Sequence, residues 1–293
     1  MIIDIMFKAF LCCSLSLLCA LATAAERNPA TVVIALKPDK NPEAMAAERA
    51  DLGKGLGAAL GIPVEVIIPL SDAVLTEGMA NGTIDLGWLS ATDVAKLPAP
   101  RAVGVLLAAE IKGRTTYDSV WLALAEKPYA SIADLKGKPV AFAKKTSTSG
   151  GIVPLNDLVE KGLVDPASGP EGFFGRGNVW FGTGYVSAVE RVLAGEAEAA
   201  AVSDYVFLGD KHLTPAQKAK LKVIATQGPV PTHVLAVRNA LDEGLRQRLA
   251  NAMLTLDVGL RDRVFGGPLV QVDEAAHLAP IVKALAVVQG MKL

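Results

Sequence analysis

Short apolar runs alternate along the chain with segments whose apolar residues recur at helical spacing. "TVVIALKPD" predicts a buried strand over 31–36, closed by a Pro-Asp turn. "PEAMAAERADLGKGLGAALG" predicts an amphipathic helix stopped by Gly61. "PVEVIIP" is a second strand, and "SDAVLTEGMANG" a helix with Ser71 as its N-cap and Gly82 as its end. "IDLGWLS" is a third strand, "ATDVAKL" opens a helix, and "AVGVLLAAEI" and "DSVWLALAEK" are further apolar runs. The same grammar restarts at "SIADLKGKPVAFA" and continues through "GGIVPLNDLVEKG", "NVWFGTG", "VSAVERVLAGEAE" and "AAAVSDYVF". A strand pair, "LKVIATQGPVPTHVLAVR", and the helices "EGLRQRLANAMLTL" and "EAAHLAPIVKALAVVQG" close the chain. Such alternation predicts an α/β fold of parallel-rich sheets flanked by helices.

The length suits two domains of roughly 100–150 residues each. We place lobe one at 26–123 plus 235–293 and lobe two at 124–234, with hinge candidates near 120–125 and 230–237. Two such lobes suggest a binding protein that closes on a ligand by hinge motion.

The opening stretch "MIIDIMFKAFLCCSLSLLCALATAAERN" is expected to be a signal peptide over 1–25. Its apolar run, 10–22, is shorter than the roughly 20 residues of a spanning helix. Cys12, Cys13 and Cys19 all lie within it, so the exported chain is expected to hold neither disulfide nor thiolate ligand. An apolar core must then stabilise it, and a 51% hydrophobic composition supplies the material. The net charge of −1 gives no electrostatic footprint for nucleic acid or an anionic membrane. His212, His233 and His277 share no metal-type spacing, and no Gly-x-Ser-x-Gly elbow occurs. No metal, no cofactor and no catalytic activity are therefore expected.

One stretch carries candidate chemistry. In "KKTSTSGGIVPLNDLVEKG", 144–162, the hydroxyls of Ser147, Thr148 and Ser149 precede Gly150 and Gly151. They follow the strand "PVAFA", and open α/β sheets bind ligands beyond the carboxyl ends of their strands. The next helix aims free N–H groups and its positive dipole end at this turn. Hydroxyls add donors without charge, and glycines permit close approach. The turn therefore suits an anion such as a phosphorus oxyanion. It is not a P-loop, because Lys144 and Lys145 precede the turn. Ordinary N-capping accounts equally well for one of the hydroxyls. Pro154 would fall at the fifth helical position if Ser149 were the cap, so the helix starts later or opens with an irregular turn.

The segments "DLKGKPVAFAKKTSTSGGIVPLNDLVEKG" and "GTGYVSAVERVLAGEAEAAAVSDYVF" resemble the phosphate/phosphite/phosphonate-binding proteins of ABC importers. The likeness runs from "IALKPDKNPE" to "GPLVQVDEAAHLAPIVKAL". It implies a two-lobed periplasmic-binding-protein fold, type II-like, with a ligand cleft between the lobes. It also implies a monomeric periplasmic protein, without a nucleic-acid partner. Such a protein captures a small phosphorus oxyanion (phosphonate, phosphite or phosphate-like) and delivers it to an inner-membrane ABC permease. The alternative is a sensor of the same fold that signals to a membrane histidine kinase.

The resemblance also assigns residues. Ser147, Thr148 and Ser149 would hold the phosphorus oxygens. "TTYDSVWLA" places a ligand-facing tyrosine at Tyr117, against a core ring with a surface hydroxyl. "IDLGWLSATDVAKL" forms the opposite wall, with Trp88, Ser90 and Thr92, although Trp88 also reads as core filling. Where the family usually has a histidine, "GTGYVSA" has Tyr185, a neutral donor in place of an ionisable imidazole. Asp204 matches a position that recognises an aminoalkyl group in some members; it also reads as a helix cap. "GPVPTHVLAVR" shows no second carboxylate but offers His233. A small ligand such as phosphite is therefore at least as well supported as an aminoalkylphosphonate.

Overall fold

Gly61 and Gly82 take left-handed conformations (φ 70° and 82°) and stop the helices Ala46–Leu60 and Asp72–Asn81. Ser71 caps the second of these, its side chain accepting from the Val74 N–H. The computed structural model describes residues 28–38, 43, 45–98 and 100–293. The expected signal peptide, with Cys12, Cys13 and Cys19, and the turn residue Asp39 lie outside the described residues.

The chain begins with strands β1 (Val32–Ala35), β2 (Val64–Ile67), β3 (Leu86–Leu89) and β4 (Val103–Ala109). It then builds β5 (Thr116–Leu124), β6 (Val140–Phe142), β7 (Val179–Phe181), β8 (Ala199–Ser203) and β9 (Leu221–Pro231). It returns with β10 (Val234–Arg238) and β11 (Leu269–Val270). Two sheets result, ordered β11-β4-β10-β3-β1-β2 and β7-β6-β8-β5-β9.

Both sheets are mixed. β2-β1-β3 and β7-β6-β8 are parallel cores, joined by the helical crossovers that the sequence pattern shows. β10 runs antiparallel between β3 and β4, and β5 runs antiparallel between β8 and β9. These antiparallel strands are the ones on which the chain enters or leaves a lobe. The boundary expected at 123/124 also moves. β5 pairs on both edges with second-sheet strands, so the first crossing lies at 110–115, ahead of it. The second crossing is Thr232–His233, between β9 and β10.

Thr232 joins the two crossings. Its Oγ1 donates to the Ala109 carbonyl (2.7 Å) and lies 3.0 Å from the Thr115 carbonyl, on either side of 110–115. The helix Glu274–Val288 straps both lobes together. Glu274 accepts from the Val105 N–H at 2.8 Å and pairs with Arg101, while Lys283 pairs with Glu160 of lobe two. Leu278 and Ile281 of this helix share one apolar cluster with Val94 of lobe one and Ile152 of lobe two.

His277 of the same helix is buried, with Nε2 3.3 Å from the Thr232 carbonyl. Burial is the larger influence and holds its pKa below the ordinary histidine value, against the opposing hydrogen bond. The unfolded chain then binds a proton that the folded chain resists, so stability falls as pH falls below about 6.5. Thermal melts at pH 7.5 and pH 5.5 should show this loss, and His277→Gln should reduce it, leaving the part due to His212, whose pKa burial and Lys211 also lower. Asp134, held below the ordinary carboxylate range by the Ala130 and Ser131 N–H groups, and Glu160 and Asp210, held there by Lys283 and Lys218, titrate below this window. An identical pH slope in the variant would show that His277 has no part in it.

Candidate functional site

Between the lobes lies a cleft of about 920 Å³. Its lobe-two wall begins at the carboxyl end of β6, where Lys144, Thr146, Ser147 and Thr148 line it. Pro154 shapes the chain here. The Ile152 N–H donates to the Ser147 carbonyl at 2.9 Å, and the Val153 N–H donates to the Thr148 carbonyl. Both bonds reach back five residues, a wide turn type that recurs at functional sites. The regular helix starts at Val153 and places Pro154 in its first turn, where the missing N–H breaks no helical bond. Ser147, not Ser149, is the cap: its Oγ accepts from the Gly150 N–H at 3.1 Å.

The wide turn sends the predicted hydroxyls in different directions. Ser147 lines the cleft, and its hydroxyl proton is not used in the capping bond. Thr148 also lines the cleft, with Oγ1 2.5 Å from Oγ1 of Thr92. Ser149 is fully buried and does not line it. Its Oγ lies 2.9 Å from the Tyr185 hydroxyl. Its carbonyl accepts from Ser119 Oγ at 2.5 Å, and Ser119 Oγ accepts in turn from Gln227 Nε2 at 2.7 Å. Ser149 thus anchors Tyr185 from behind. Gly150 and Gly151 serve packing. A Cβ on Gly150 would meet Ala143 Cβ at 2.4 Å, and one on Gly151 would meet the Lys144 carbonyl at 2.3 Å.

Tyr117, Tyr185 and Tyr205 line the cleft beside this turn. The Tyr205 ring lies 5.7 Å from both Tyr117 and Tyr185, and His212 packs against Tyr185 and Tyr205. Burial first, and the neighbouring Tyr185 second, push the Tyr117 and Tyr205 phenols above their ordinary range. Both are neutral hydrogen-bond donors at neutral pH.

Tyr205 escaped the sequence reading, which chose its neighbour Asp204. Asp204 does not line the cleft, although its charge reaches the Tyr117 phenol. Asp204 lines a separate hollow of about 210 Å³ with Asp118, Phe207 and Leu208. It is not the helix cap either, because Ser203 occupies that position ahead of helix Asp204–Leu208. Tyr205 carried a signal that was available: it follows the carboxyl end of β8, as the hydroxyl turn follows that of β6.

On lobe one, Ser90 and His233 line the cleft. The Ser90 hydroxyl accepts from the Asp93 N–H (3.1 Å) and lies 2.6 Å from Asp93 Oδ2, so capping commits both its functions. Trp88 lies in the core, stacked behind His233 at 5.7 Å and edge-on to Phe265. Thr92 is fully buried behind Thr148. The sequence reading missed the charged residues of this wall. Lys37 and Asp72 form an ion pair of 3.0 Å at the cleft, with Lys96 also lining it. Among the described residues no group of three or more His, Cys, Asp or Glu side chains is placed to hold a metal.

A family model described as "ABC transporter, phosphonate, periplasmic substrate-binding protein" matches residues 34–274. The chain belongs to that family. Members of the phosphonate-binding family are substrate-binding components of transporters and not enzymes. One similar protein is a phosphate-import protein, PhnD, of Mycolicibacterium smegmatis. It is 28% identical over 228 residues, which cover 75% of this chain and 70% of that one. Two solved structures share the fold. XAC2383 from Xanthomonas citri, bound to ATP, has TM-score 0.76 and 18% identity, covering 90% of this chain and 100% of that one. PhnD1 from Prochlorococcus marinus, in complex with methylphosphonate, has TM-score 0.67 and 19% identity, covering 90% and 100%. The family fold is the two-lobed type II fold of periplasmic binding proteins, and its partners are a small anionic ligand and a membrane permease.

Proposed function

We propose that this phosphonate-family protein captures a small phosphorus oxyanion in the interlobe cleft and presents it, by lobe closure, to an ABC permease. The observation that carries this reading is convergence. The hydroxyls of Ser147 and Thr148 and the phenols of Tyr117, Tyr185 and Tyr205 line one cleft past the carboxyl ends of β6 and β8. These are neutral donors that hydrogen-bond an oxyanion without fixing its charge. His233 and the Lys37–Asp72 pair face them from lobe one, and closure about Thr232 brings that wall onto the ligand. The cleft stands near the top of the usual 300–1,000 Å³ range for ligand sites, which suits an open form that shrinks on binding. Ser149, Trp88 and Thr92 support the site from behind. In this reading the protein works as a monomer, and residues 1–25 direct its export.

The sensor alternative has no support from the relatives, which are binding and import proteins.

Calorimetry on refolded, ligand-stripped protein should test phosphate, phosphite, hypophosphite and methylphosphonate. Tight one-to-one binding of one of them is expected. A folded protein that binds none would reject the oxyanion reading.

A further inference from the structure

Thr92 and Thr148 belong to different lobes. Thr92 is on helix Ala91–Ala95, after first-sheet strand β3, and Thr148 is in the turn after second-sheet strand β6. Their hydroxyl oxygens are 2.5 Å apart. Thr92 is fully buried and Thr148 is 8% exposed, so the bond is almost dry. Access separates the two: Thr148 lines the cleft and Thr92 does not.

A hydroxyl has one proton and two acceptor lone pairs. The pair therefore makes one bond, and either partner is able to donate. An anionic oxygen in the cleft removes that freedom. It accepts the Thr148 proton, so Thr148 must accept from its other neighbour and Thr92 must donate. The result is a directed chain from lobe one, through the lobe-two turn, to the ligand. In a dry site each bond of such a chain polarises the next. The bond between the lobes is thus stronger with the anion present than without it.

We propose that Thr92 is a positioning residue that never touches the ligand and ties the anion-holding turn of lobe two to lobe one through its bond to Thr148. This rests on the oxyanion reading of the cleft. It differs from the role that the sequence resemblance gives Thr92, which is direct contact.

The test uses Thr92→Val, Thr92→Ser, Thr148→Val and the double Thr92→Val/Thr148→Val in the full chain. Calorimetry with inorganic phosphate, phosphite and methylphosphonate reads affinity. Hydrogen exchange of amides 148–153 in the ligand-free protein reads the cross-lobe bond itself. Thr92→Val should weaken the bound anion about tenfold, and Thr92→Ser should stay within about twofold of the unmodified chain. The double variant should bind no more weakly than Thr148→Val alone, because Thr148→Val has already removed the bond that Thr92→Val removes. Exchange over 148–153 should quicken in Thr92→Val and return in Thr92→Ser.

Unmodified affinity in Thr92→Val beside a crippled Thr148→Val would overturn the coupling and leave the oxyanion reading standing. Losses that simply add in the double variant would also overturn it. If no anion binds the unmodified protein, the oxyanion reading fails first. The coupling to ligand falls with it, and unchanged exchange in Thr92→Val would dispose of the cross-lobe bond as well.

Discussion

Ser147→Ala combined with Thr148→Ala is expected to lower affinity for the bound oxyanion by about 10²–10⁴-fold. Hydrogen bonds to a charged partner contribute about 1.5–3 kcal/mol each, so two lost donors remove about 3–6 kcal/mol. At 1.4 kcal/mol per tenfold, this gives the stated range. The fold should survive. Ser147 also caps the turn through the Gly150 N–H, and losing a cap costs about 1 kcal/mol. For a chain of this size that is a fall of roughly 2 °C in melting temperature. Calorimetry at 25 °C on the folded double variant separates the two effects. Unchanged affinity would move the binding site away from this turn, and the Tyr117, Tyr185 and Tyr205 group would become the next place to look.

Local elements were legible because their signals are local. Ser71, Gly61 and Gly82 do at the helix ends what their residue types predict. Sheet membership is different. β5 is an apolar run whether it pairs within lobe one or lobe two, and only its partners β8 and β9 decide. Strand direction was hidden for the same reason, since it depends on which lobe the chain has come from.

The site divides along the same line. The stretch around Ser147 was legible as a location, because strand ends and helix starts are read from sequence. The division of labour within it was not. A bond reaching back five residues, in place of four, rotates Ser149 into the interior and leaves Ser147 and Thr148 at the cleft. Pro154 announced an irregular turn without saying which hydroxyl it would bury. Asp204 and Tyr205 show a one-residue version of the problem. Both follow β8, and only helix geometry decides that Tyr205 faces the cleft. Thr92 and Thr148 are 56 positions apart, and no local pattern reports such a meeting.

Gly151→Ala is expected to damage stability and binding together. A Cβ at this position would stand 2.3 Å from the Lys144 carbonyl oxygen and 3.2 Å from that of Lys145. Both obstacles are backbone, so neither swings aside as a side-chain tip would. Left-handed strain plays no part, because Gly151 is not among the positive-φ glycines. The cost is overpacking, about 1–3 kcal/mol, or roughly 2–5 °C in melting temperature at this chain length. Relief requires the turn to lift off the loop after β6. That movement strains the bond from the Ala143 N–H to the Gly150 carbonyl, now 2.8 Å, and shifts Ser147 and Thr148 with it. Binding should therefore fall by at least about tenfold although no ligand-facing atom has been removed, since hydrogen bonds weaken steeply once distance and angle are lost. Gly55→Ala is the control. Gly55 lies inside helix Ala46–Leu60, and a Cβ there meets nothing within 4 Å. That substitution should raise stability by about 0.5–1 kcal/mol and leave affinity alone. If Gly151→Ala melted and bound like the unmodified chain, the close seat of the turn on its own loop would not be what holds the hydroxyls in the cleft.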